Sequence, residues 1–124
     1  VIISRDARVG CSAVTTKSMA VSQHFIGWIC SKKLNNMFLY YLLQSWKSRF
    51  ENIAIGSTIP TIGVSFFKDL VIPLPPLTQQ INIAKTLEFH DISIKSLENK
   101  VQFFKNLKIA LMEDLLSGRK RVKV

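Results

Sequence analysis

The chain has 124 residues, enough for one domain but not for two good cores. A hydrophobic fraction of 48% excludes a disordered tail, and a net charge of +9 at pH 7 favours an anionic partner. Charge alone does not separate DNA from RNA or a membrane surface.

Val1 to Ser4 reads as a strand interior already under way, so further chain is expected before it. The polar run Arg5-Asp6-Ala7-Arg8 is a turn, and Val9 to Val14 is the expected return strand, eased at Gly10. Ala20 to Ile29 reads as a strand because Val21, Phe25, Ile26, Trp28 and Ile29 are β-branched or aromatic. Asn35 and Asn36 are placed to cap a helix over Met37 to Phe50, with Leu39, Leu42, Leu43 and Trp46 as its buried face.

Gly56 to Gly63 is a loop by composition. A turn of helix over Phe66–Leu70 and a brief strand over Leu70–Ile72 follow, stopped by Pro73, Pro75 and Pro76 as a stiff connector. Thr78 is placed to cap the last helix, although Ile81 three residues on gives no capping box. Beyond it, Ile83, Leu87, His90, Ile94, Leu97, Val101, Phe104, Lys108, Leu111 and Leu115 recur at alternating four- and three-residue steps. Eight of these ten are apolar, the pattern of a seam for a partner helix. A helix over residues 79–116 spans about 55 Å, with Asp91 placed to cap a second segment if it breaks near His90. Gly118 suits a left-handed C-cap, followed by the basic tail Arg119-Lys120-Arg121-Val122-Lys123.

Signatures of chemistry are missing from the sequence. No phosphate loop, dinucleotide fingerprint or nucleophile elbow is present. Asp6, Glu51 and Asp69 are the only acids before the last helix, and they form no paired-carboxylate motif. Cys11 and Cys30 read as reduced thiols, and His24 and His90 belong to no metal spacing, so no cofactor or metal is expected. The longest apolar run, Leu70 to Leu77, carries three prolines and falls short of the roughly 20 residues of a membrane span. The expected location is cytoplasmic, and the expected class is a binding protein and not an enzyme.

Several stretches together resemble the specificity subunit of type I restriction-modification systems, in its C-terminal half. They are Ile72-Pro73-Leu74-Pro75-Pro76-Leu77, Gln79-Gln80, Ile83-Ala84, and Asp91, Ile94, Leu97 and Leu107 through Leu111-Met112, Asp114-Leu115-Leu116, Gly118 and Val122. Leu39-Tyr40-Tyr41-Leu42-Leu43, Gly56-Ser57-Thr58 with Pro60, and Ser22-Gln23 also suit that family. The resemblance implies an α+β fold: a partial target recognition domain, built as a small twisted sheet with helices, followed by a long coiled-coil-forming helix. It divides the chain into the distal part of the recognition domain (1–77), a conserved spacer helix (78–118) and a basic tail (119–124).

The implied function is sequence-specific recognition of double-stranded DNA, with two recognition domains each reading one half of a split site and paired helices setting the distance between the half-sites. Modification subunits would methylate adenine with S-adenosylmethionine, and a restriction subunit would cleave with ATP. The long helix would pair with a second specificity repeat or half-subunit. The alternative is a structural piece that docks helices without reading DNA. Arg5, Arg8 and Lys17 are candidates for phosphate or a guanine edge, and Gln23 for an adenine edge; the commoner role of such side chains is a solvated arginine or lysine and a backbone-bonded glutamine. Ser57, Thr58 and Thr61 either approach DNA or shape a turn. Ile83, Leu87, Ile94, Leu97, Val101, Phe104, Leu111 and Leu115 are the expected packing positions, and His90 and Lys108 are polar interruptions that either set register or lie at the seam's wet edge.

Overall fold

The computed structural model describes residues 1–122, so Lys123 and Val124 of the expected tail lie outside the described residues. The chain forms two compact units, Val1–Thr86 and the residues from Leu87 onward. The fold is α+β, with the sheet and the short helices in the first unit.

Three short antiparallel strands, β1 (Ile2–Ser4), β2 (Ser12–Ala13) and β3 (Phe25–Gly27), form a sheet in the order β2-β1-β3. Ile2 faces Ala13 on one side and Gly27 on the other. The turn between β1 and β2 closes through Gly10 at φ 81, whose N–H donates to the Ser4 carbonyl at 3.0 Å.

Two expected strands are shorter than their composition indicated. Within 9–14 only Ser12–Ala13 pair, and within 20–29 only Phe25–Gly27 do. The central strand has three residues to offer, and a β-branched side chain without a ladder partner does not make a strand. The expected strand at Leu70–Ile72 is likewise extended chain without a ladder, with Leu70 and Ile72 packed on the core and Val71 exposed.

Asn35 caps α1 (Asn36–Ser45) as expected, its Oδ1 accepting from Phe38 N at 2.9 Å. The single helix expected over 37–50 is two. The backbone turns at Trp46 (φ −94, ψ 6) and α2 runs Lys47–Ile53. No proline or glycine marks that break, so the apolar periodicity reads straight through it. The buried residues of the pair are Phe38, Leu39, Leu43 and Phe50; Leu42 and Trp46 are only half-buried.

A short α3 (Val64–Lys68) starts two residues before its expected place. It supplies Phe67 to a core with Val1, Ile3, Val9, Leu39, Leu43, Phe50 and Ile62. The Phe50 ring lies 6.2 Å from that of Phe66 and 6.0 Å from that of Phe67, within the range where aromatic pairs add to simple burial.

The last helix, α4, runs Leu77–Leu116 without interruption at His90–Asp91. Thr78 lies inside it and so does not cap it; the first helical bonds run from Gln79 N at 2.9 Å and Gln80 N at 3.1 Å to the Pro76 carbonyl. In the first unit α4 buries Gln80 and Ala84 rather than the apolar seam. The eight packing positions from Ile83 to Leu115 are all exposed, Leu87 least at 39% and Phe104 most at 63%. Phe104, Leu107, Lys108, Leu111, Met112, Leu115 and Leu116 line a groove of about 380 Å³ near the helix end.

Gly118, at φ 76, terminates α4 in the left-handed conformation expected of it. The tail folds back on the helix acids. Lys120 Nζ lies 2.8 Å and Arg119 Nε 3.4 Å from the Asp114 carboxylate, and that contact raises the Lys120 pKa from its ordinary value. No helix among the described residues is long and apolar enough to cross a membrane.

Candidate nucleic-acid interface

Three loops of the first unit meet at one end of the small sheet, where β1 finishes and β3 begins. The first follows β1 and holds Arg5 to Arg8. The second, Ser22–His24, leads into β3. The third, Gly56–Pro60, is closed by reciprocal Ile55–Thr61 backbone bonds, both 3.0 Å. Gly56 is required there: its φ is +128, and a Cβ would stand 2.6 Å from the Ile59 carbonyl oxygen. The third loop lies along the first, with Thr61 bridged to Asp6 and Ala7 N donating to Pro60 O at 3.1 Å.

Arg5 ties the cluster together. Its backbone N–H donates to His24 O at 3.0 Å, and its carbonyl accepts from Ile62 N at 2.8 Å. Its guanidinium donates to two further carbonyls, Nε to Ile62 O at 3.0 Å and Nη1 to Gln23 O at 3.3 Å. Half-buried and committed in this way, Arg5 is a brace between loops. Arg8 differs: it is exposed and has no ion-pair partner among the described residues.

His24 and Asp6, 18 positions apart, meet across the first two loops with Nδ1 2.6 Å from Oδ2. The Asp6 side chain is 16% exposed and that of His24 57%. The carboxylate is therefore screened by an imidazole whose other edge is open to solvent. A carboxylate partner on one ring nitrogen fixes the orientation of a histidine ring. Arg8, Cys11, His24, Phe25, Ile59 and Thr61 line a cleft of about 680 Å³ with Asp6 in its wall.

The structure thus gathers Arg5, Arg8 and Thr61 at one place, with Gln23 attached through its backbone carbonyl. Thr61 acts as a turn residue, its Oγ1 donating to Ile59 O at 3.3 Å. Ser57 and Thr58 are exposed on the third loop. Lys17 is exposed on a bend and does not line the cleft. Of the further cations, Lys47 pairs with Glu51 at 3.8 Å and Arg49 stacks over the Trp46 ring at 5.1 Å. The first unit carries nine Lys and Arg against three Asp and Glu, and two of those acids are paired. Its electrostatic field is therefore cationic.

His24 is the residue that sequence reasoning passed over. Tested against metal spacings it has no partners, and its real partner belongs to a distant loop. Only the Ser22-Gln23-His24 run, beside a strand start, marks the spot. Both cysteines are free, and burial pushes the Cys30 thiol pKa up from its ordinary value. Among the described residues no three His, Cys, Asp or Glu side chains are grouped to hold a metal ion.

Comparison with known proteins gives a consistent result. The family model "Type I restriction modification DNA specificity domain" matches residues 1–103. The putative type I restriction enzyme MjaX specificity subunit of Methanocaldococcus jannaschii is 30% identical over 99% of this chain and 29% of its own length. A putative type I specificity subunit of Mycoplasma genitalium is 33% identical over 68% of this chain and 22% of its own. The crystal structure of a type I restriction-modification system S subunit from M. genitalium matches with a TM-score of 0.74 at 26% identity. That match covers 94% of this chain and 32% of the other. The chain spans about a third or less of the length of these relatives.

Proposed function

The chain belongs to the type I restriction-modification DNA specificity family, and from that premise we propose that it reads part of a duplex DNA target for partner subunits. Residues 1–77 serve as the distal part of a target recognition domain, 78–118 as a spacer helix and 119–124 as its tail. The chain does no chemistry itself. Adenine methylation from S-adenosylmethionine falls to modification subunits, and ATP-dependent cleavage to a restriction subunit, all in the cytoplasm.

One observation carries this reading: three loops are bonded together at one end of the sheet of a cationic unit, with Arg8 and His24 exposed. Rigid loops on a small scaffold are the usual way to hold side chains to a base edge or phosphate. Arg8, His24, Gln23, Ser57 and Thr58 are the proposed contacts; Arg5 and Thr61 shape the surface that presents them, and Lys17 adds charge at its margin.

The test is equilibrium binding to duplex DNA, with the modification subunit present, across a salt series. Phosphate contacts release counterions, so log affinity falls linearly with log salt, by about 0.9 per contact. Absence of any DNA affinity under these conditions leaves the second reading, a helix-docking scaffold. That reading draws on the exposed apolar seam of α4, which in the first reading pairs with a second repeat or half-subunit.

A further inference from the structure

Gln80 lies one turn into α4, inside the first unit, and is wholly buried. A buried primary amide is unfavourable unless its carbonyl and both N–H groups are paired. All are. Oε1 accepts from Asn35 N at 2.8 Å, and Nε2 donates to Lys33 O at 3.0 Å and to Pro75 O at 2.8 Å. Three bonds from one side chain thus reach two stretches distant in sequence: the lead-in to α1 and the proline connector before α4. Asn35 serves both sides, capping α1 with its side chain while its backbone N–H is held by Gln80. One turn further on, Ala84 is 4% exposed against the same unit.

Apolar contact alone is non-directional and tolerates sliding or rotation of a helix. A fully satisfied buried amide does not, because any shift breaks bonds that water cannot replace. Single buried polar residues fix register in other helix assemblies for this reason. Gln80 takes the place where a hydrophobic residue would have served simple adhesion.

We propose that Gln80 is the positioning residue that indexes the start of α4 against the recognition domain, and so sets how sharply the complete subunit discriminates the separation of DNA half-sites. The inference rests on the DNA-specificity reading above. It assigns Gln80 no DNA contact. Its role lies in holding the first turns of the spacer helix in one rotational and axial setting.

The experiment uses the complete specificity subunit containing this chain, assembled with its modification subunits. Methylation is measured on duplexes whose half-site separation is stepped one base pair at a time, and on duplexes with a single altered base in a half-site. Two variants are compared: Gln80→Leu removes all three bonds, and Gln80→Glu keeps an acceptor for Asn35 N but sets a carboxylate oxygen against two carbonyls. The expected result is that spacing discrimination falls by about tenfold in both, the scale of one to two lost buried hydrogen bonds. Discrimination against the altered base stays as in the parent. Hydrogen exchange at the Asn35 amide rises in Gln80→Leu.

Full retention of spacing discrimination in the variants overturns the inference. So does a parallel loss of base and spacing discrimination, which reduces Gln80 to an ordinary core residue. If Gln80→Leu does not fold, Gln80→Glu carries the comparison. A parent complex that discriminates neither spacing nor sequence refutes the DNA-specificity reading instead.

Discussion

Arg5 and Arg8 sit in the same turn and act in different ways. Arg5 donates to two backbone carbonyls from half-buried positions, so Arg5→Ala leaves the Ile62 and Gln23 carbonyls short of a donor. We expect it to lower stability by about 1–3 kcal/mol, read as a reduced urea midpoint. Arg8→Ala removes an exposed cation and leaves stability within about 0.5 kcal/mol. It lowers the slope of log affinity against log salt by about one contact. Equal effects of the two substitutions on both measurements would contradict the division of roles. From sequence the two arginines are indistinguishable, since composition and loop placement are shared. What separates them is the fold, which brings the residue 23 and 62 carbonyls to the Arg5 guanidinium and, among the described residues, no ion-pair partner to Arg8. The Asp6–His24 pair was illegible for the same reason.

At the scale of elements, legibility follows the range of the forces involved. The α1 cap at Asn35, the left-handed Gly118 and the long helix α4 are local and appear where the sequence places them. The strand ends and the break at Trp46 depend on which partners the chain finds, and there composition overreached. The α4 seam is the sharpest case. Periodicity marks an apolar stripe for a partner helix, whereas inside the first unit α4 buries Gln80 and Ala84. The stripe is exposed in this chain, with Leu97 at 60% and Val101 at 53%. We expect it to drive helix pairing. Leu97→Asp exchanges burial of a leucine for burial of a charge, a difference of at least about 3 kcal/mol. Self-association measured by sedimentation equilibrium should weaken more than about a hundredfold. Asn99→Asp, off the stripe, should leave it unchanged. A monomer at all concentrations, or equal effects of both changes, would remove the seam from the account.

At the scale of the molecule, the basic charge alone permitted any anionic partner. The proline-to-helix junction at Pro73–Gln80 narrowed it to one family, which the match over residues 1–103 establishes. On the proposed reading, base choice depends on which side chains the loops aim outward, and no local sequence pattern sets that. We propose that residues 1–77 carry part of the target specificity. That claim is tested most directly by exchanging them, in the complete subunit, for the matching segment of a relative with a different target, and mapping the adenines methylated by the assembled complex. One half of the recognised sequence should change to that of the relative, with the other half and their separation preserved. A target unchanged by the exchange, from a complex that still methylates, would contradict the account.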